Sequence, residues 1–95
     1  MVPTCEVLLE TDDPAAFDTI DNILTAAAER IERSRKGRVW DLWIVGRPIH
    51  VSASGSPIAV TLSAGCNSPE DLIVLQRLSV EIVAVLGGIP SDPSK

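Results

Sequence analysis

The side chains best suited to hold a ligand lie in one loop and at the start of one strand. Arg47 follows a glycine, and the loop 64–68 (AGCNS) leads into a helix. A helix N-terminus offers unpaired N–H groups and partial positive charge, and an arginine fork pairs with carboxylate or phosphate. The sequence therefore predicts a candidate small-anion site at Arg47, Cys66, Asn67 and Ser68. The alternative is that Ser68 caps the helix and Arg47 is solvated.

Cys66 and His50 are the remaining candidates for nucleophilic chemistry. Cys66 precedes a helix N-terminus, where a thiolate is stabilised, and His50 is the one histidine that can serve as its base. No motif joins the two, which favours a structural thiol and a surface histidine. Cys5 and Cys66 also lack metal-ligand spacing. We expect no metal and no cofactor. We favour a protein that is not an enzyme, and the alternative is a modest enzyme that uses Arg47, Cys66, Asn67 and Ser68.

Composition limits the classes of partner. The 95 residues carry a net charge of −5, and all charges before residue 30 are acidic. Five of the eight basic residues fall within 30–38, which we interpret as cations at a helix C-terminus. An acidic chain is a poor ligand for nucleic acid. No apolar run reaches the roughly 20 residues of a membrane span, and residues 1–6 lack a signal-peptide pattern, so we expect a cytoplasmic protein.

Hydrophobic periodicity predicts six elements. Alternation indicates strands, and apolar spacings of three and four indicate helices that begin near proline and end at glycine. The elements are a strand at 4–11, a helix from Pro14 to about Ser34, strands at 38–45, 47–53 and 57–63, and a helix from Ser68 to Gly87. Residues 1–88 form one domain, and residues 89–95, with two prolines, are predicted to be a flexible tail.

These elements predict an α+β fold of the order β-α-β-β-β-α. Two amphipathic helices on one face of a four-stranded, mostly antiparallel sheet give a two-layer sandwich. The inward set is Val7, Leu9, Trp40, Leu42, Ile44, Ile49, Val51, Ile58, Val60 and Leu62. If the first strand runs upward, the turn at Arg47, the loop before Ser68 and both helix N-termini gather at the top edge. Whether the first strand lies beside the second or the fourth stays open.

Residues 14–88 are similar in element order to double-stranded RNA-binding domains, which have a helix, three strands and a helix. That family places basic residues at the start of the last helix to meet phosphates. Here the corresponding residues are Pro69, Glu70 and Asp71. The chemistry is opposite, so we do not assign the chain to that family.

The sheet face opposite the helices, called the open face below, is the preferred candidate for function. Its expected members are Glu6, Leu8, Glu10, Asp41, Trp43, His50, Ser52, Ala59, Thr61 and Ser63. An exposed tryptophan among small residues is typical of an interface anchor. The sequence therefore predicts binding to a protein partner, a basic one or a second copy of the chain, through Trp43, Leu8, Asp41, His50 and Thr61. The alternative is that a long side chain or the tail covers Trp43.

Overall fold

Two helices and an antiparallel sheet make up the computed structural model, which describes residues 4–34, 36–65 and 68–91. Five strands have five to eight residues, and a sixth has three. In chain order the elements are β1 (Thr4–Leu8), α1 (Ala15–Ala27), β2 (Arg30–Ser34), β3 (Val39–Ile44), β4 (Arg47–Ser54), β5 (Ala59–Ala64), α2 (Pro69–Leu86) and β6 (Ile89–Ser91). The predicted α+β class is confirmed, whereas the predicted number of strands is too small.

The strands lie in the order β2-β3-β4-β5-β1-β6, and each neighbouring pair is antiparallel. The first strand thus pairs with β5, the last strand before α2, with Val7 opposite Val60. This answers the question that the sequence pattern leaves open.

A single hydrophobic core lies between the sheet and the two helices. Ile20 and Leu24 from α1, and Leu75, Leu78 and Ile82 from α2, are buried in it. The predicted inward strand residues are all buried, apart from Ile44, which is half-buried against the same core. Alternation along the strands therefore identifies the covered face correctly.

The first helix is shorter than predicted, because residues 30–34 form β2. The backbone leaves the helix at Ala28, whose φ of −97° and ψ of 145° are extended. Ile31 continues the helical spacing of apolar residues, yet it lies opposite Leu42 on β3. Strand pairing outweighs helix propensity here, as tertiary contacts often do. The cations of residues 30–34 accordingly lie on an edge strand and not at a helix C-terminus.

The extra strand reverses the direction of every later strand relative to β1. The N-terminus of α1 consequently lies at the edge of the sheet formed by the β4–β5 turn, at one end of the strands. There Ser56 donates a hydrogen bond to Asp12 at 3.1 Å. The N-terminus of α2 lies at the opposite edge, beside Arg47. The prediction that both helix N-termini share an edge is therefore wrong, although Arg47 and Ser68 do meet.

Residues 89–91, predicted to belong to the flexible tail, form β6 against β1 instead. Gly87 and Gly88 have φ values of 73° and 117°, which let the chain turn back sharply after α2. A Cβ on Gly88 would lie 2.8 Å from the Leu8 carbonyl oxygen, so only glycine fits this approach. Residues 92–95 of the predicted tail lie outside the described residues.

Asp21 joins α1 to β2 and β3. One of its carboxylate oxygens accepts a hydrogen bond from Trp40 Nε1 at 2.9 Å and another from Arg33 Nε at 2.6 Å. The Trp40 side chain is fully buried, so its N–H needs this acceptor.

We expect Asp21→Ala to lower the free energy of unfolding by about 1–3 kcal/mol, since it leaves the buried indole N–H without a partner. Asp18→Ala, an exposed carboxylate on the same helix, should cost roughly 0.5 kcal/mol or less. Urea denaturation of both variants measures the difference. Equal losses would show that the Asp21 contacts add nothing to stability.

Candidate functional site

The open face of the sheet carries all five predicted interaction residues. The strand register places Trp43 opposite both Arg30 and Pro48, and Asp41 opposite His50. Leu8 and Thr61 share the face but lie further along the sheet, on β1 and β5. Three strand spacings separate β3 from β1, roughly 14 Å. The aromatic ring and the two ionisable side chains of this set, Trp43, Asp41 and His50, therefore lie together on β3 and β4.

Trp43 lies between two neighbours on the open face. The Arg30 guanidinium carbon is 4.7 Å from the centre of the Trp43 ring, a cation–π geometry. On the other side is Pro48 of β4. Trp43 is consequently half-buried, and the long side chain that covers part of it comes from β2, the strand that sequence analysis assigns to a helix.

A row of ionisable groups crosses three strands beside Trp43. His50 Nδ1 lies 2.8 Å from an Asp41 carboxylate oxygen, and both side chains are half exposed. Glu32 lies directly opposite Asp41, and its own carboxylate accepts a hydrogen bond from Arg30 at 2.9 Å. Surface ion pairs of this kind add little to stability. Because the side chains of Asp41 and His50 are each 51% exposed, a partner can reach the row.

These side chains enclose a depression of about 210 Å³. Trp43 and Pro48 form its apolar side, and the row of ionisable groups forms its polar side. We call it the acidic–aromatic groove, lined by Glu32, Asp41, Trp43, Pro48, His50 and Gly65 among others. Glu32 and Arg30 were missed because the sequence places them in a helix. Alternation along residues 30–33 does not reveal them, because Arg33 is charged at a strand position that faces the helices, opposite the buried Trp40.

Ser63 lies opposite His50 on β5, so serine, histidine and aspartate occupy one row. Within the described residues no hydrogen bond joins Ser63 to His50. The backbone of β5 pairs with β4 on one side and β1 on the other, so its N–H groups are used by the sheet. A serine nucleophile there would find no free N–H group on β5 to form an oxyanion hole. The row is consequently better suited to binding than to acyl transfer.

The alternative anion site is organised around an internal carboxylate. Arg47 Nη1 donates to Ser68 Oγ at 3.1 Å and to an Asp71 carboxylate oxygen at 3.0 Å. The Asp71 side chain is 2% exposed, and Ser68 Oγ accepts the Asp71 N–H as the helix cap. Asp71 therefore already pairs with the Arg47 charge and competes with an anion for it. Cys66 and Asn67 of this predicted site lie outside the described residues.

A second depression, of about 250 Å³, lies on the helix side of the molecule. Its walls are mainly aliphatic, from Ile44, Val74 and Leu78, and Ile73 at its rim is 57% exposed. Val45 beside it is 78% exposed and has a φ of 52°, a left-handed angle that is unusual for a β-branched residue. Two charged residues of opposite sign, Arg77 and Glu81, line this depression, so their charges favour neither an anion nor a cation.

Cys5 is a structural thiol. Burial raises the pKa of Cys5 above its ordinary value, and a hydrogen bond with Ser79 partly offsets the increase. The thiol is a free one and lies in the core. A thiol kept neutral in this way is a poor nucleophile at neutral pH.

We expect Arg47→Ala to lower the free energy of unfolding by about 1–3 kcal/mol, because the buried Asp71 carboxylate loses its partner. Arg77→Ala, an exposed arginine on α2, is the matched control and should cost roughly 0.5 kcal/mol or less. Adding Asp71→Asn to Arg47→Ala should cost less than the sum of the single losses.

Chemical denaturation of these variants tests the structural role of Arg47. Equal losses for Arg47→Ala and Arg77→Ala would contradict it. A phosphate-dependent rise in melting temperature that Arg47→Ala abolishes would support an anion site instead.

No described helix has the length and apolar character needed to cross a membrane. Comparisons of the chain with protein-family models, with curated proteins and with solved structures find no match. The site's geometry is therefore the basis for assigning a function.

Proposed function

We propose that the chain is a non-enzymatic interaction domain of the cytoplasm, which binds a protein partner through the open face. The observation that carries the proposal is the unequal covering of the two sheet faces. Both helices pack on one face, and within residues 4–34, 36–65 and 68–91 no element packs on the other. A sheet face that holds a half-buried tryptophan is a suitable binding surface.

The composition of the open face supports this role. Leu8 is 42% exposed, and Ala59, Thr61 and Ser63 on β5 are small and half-buried. Small side chains between larger ones leave relief into which a partner's side chains can insert. Trp43, on β3, adds an aromatic residue of the kind enriched among energetically dominant interface contacts.

The charges on this face favour a basic partner over a second copy of the chain. Among the described residues, Glu32 and Asp41 contribute two carboxylates, whereas Arg30 contributes one guanidinium. The whole chain is also acidic, with a net charge of −5. Two such faces brought together would repel, and a basic surface would be attracted and steered towards the face.

Photocrosslinking in the native host cell tests the proposal. We expect p-benzoylphenylalanine in place of Thr61, in the middle of the open face, to form a covalent adduct with a different protein. The same residue in place of Val80, which is 67% exposed on α2, is the control for the helix side. Gel mobility and mass spectrometry identify the adduct and the crosslinked segment, in which we expect an excess of lysine and arginine.

Three outcomes would count against this function. Adducts from position 80 alone would place the interface on the helix side. An adduct twice the mass of the chain would identify a second copy as the partner. No adduct from position 61, in a variant with unchanged circular dichroism, would contradict binding through the open face.

A further inference from the structure

The acidic–aromatic groove combines an unbalanced charge with an apolar wall. Glu32 and Asp41 lie directly opposite each other on neighbouring strands, an arrangement of like charges that costs energy. Arg30 neutralises Glu32 at 2.9 Å. Asp41 lies 2.8 Å from the His50 imidazole. With histidine counted as neutral, the formal charges of Glu32, Asp41 and Arg30 sum to −1, which favours a cation in the groove.

The cation that fits is a side chain and not a metal ion. Among the described residues no three carboxylate, imidazole or thiol groups converge closely enough to hold a metal. The Trp43 and Pro48 wall suits the aliphatic stem of a long side chain. The groove, which is open to solvent and has a volume of about 210 Å³, has room for one side chain.

Arg30 provides an internal example of the same recognition. Its guanidinium is 4.7 Å from the centre of the Trp43 ring and donates to the Glu32 carboxylate. One aromatic ring and one carboxylate thus already hold an arginine on this face. The Asp41 side of the groove offers the second carboxylate of the row to an arginine from outside.

We propose that the basic partner anchors itself by inserting an arginine or lysine side chain into the acidic–aromatic groove. The cationic head pairs with Asp41, and the stem lies along Trp43 and Pro48. This inference rests on the proposed function, because it assumes that the open face is the binding surface. It adds the identity of the anchoring group and the residues that select it.

The test is an NMR titration of the full chain with N-acetyl-Gly-Arg-Gly-amide. We expect saturable shifts of the Trp43 indole N–H and of the backbone amides of Asp41 and His50, and weaker binding as the salt concentration rises. The matched peptide contains citrulline, a neutral analogue of arginine, and should leave these signals unchanged.

Two variants separate local recognition from overall charge. Asp41→Asn and Glu81→Gln each remove one negative charge, and Glu81 is exposed on α2 away from the open face. We expect Asp41→Asn to weaken arginine-peptide binding about tenfold, the effect of one charge-assisted hydrogen bond, and Glu81→Gln to leave it unchanged. Glu32→Gln serves as a second variant if Asp41→Asn fails to fold.

Each contrary result has a defined meaning. Equal responses to the arginine and citrulline peptides, equal effects of Asp41→Asn and Glu81→Gln, or no binding of the arginine peptide would overturn the cation anchor. If Thr61 crosslinks still capture a partner in that case, the open face remains the interface and only the anchor is wrong. If those crosslinks fail as well, the proposed function is wrong with it.

Discussion

The structure depends on the fact that side chains alternate across a β-strand while the helices cover one face only. Every second residue of β1 and of β3 to β5 enters the core, including Trp40, Val51 and Leu62. The residues between them must lie on the other face, whatever their chemistry. Trp43 is therefore separated from Trp40 by three positions and by the full thickness of the sheet. Full burial of Trp40 and partial burial of Trp43 follow from the same pairing.

Alternation predicts much of the fold. Which residues of a strand are buried depends on the alternation along that strand and not on the strand that lies beside it. The core residues of β1, β3, β4 and β5 and the start of α2 at Ser68 follow from local pattern and capping. Residues 30–34 do not, since Ile31 satisfies a helical period as well as a strand period. The pairing with β3 and the contact of Arg33 with Asp21 decide between them, and neither shows in the periodicity of residues 30–34.

β2 has consequences well beyond its five residues. It supplies Arg30 and Glu32 to the open face, and Glu32 forms one wall of the groove because this strand pairs with β3. It also reverses the direction of the later strands and sends the two helix N-termini to opposite edges. Direction could not be derived from periodicity, because a missed strand changes no local pattern. The predicted proximity of Arg47 and Ser68 is nevertheless correct. Arg47 begins β4 and Ser68 follows the end of β5, and these two strands are antiparallel neighbours.

The central claim is that the open face, with Trp43 on it, is accessible in the isolated chain. The most direct measurement is acrylamide quenching of tryptophan fluorescence in two single-tryptophan variants, Trp40→Phe and Trp43→Phe, since the chain has two tryptophans. The structure predicts that the half-buried Trp43 is quenched several times more efficiently than the fully buried Trp40. Equal shielding of both rings would contradict it, because Trp43 would then be covered.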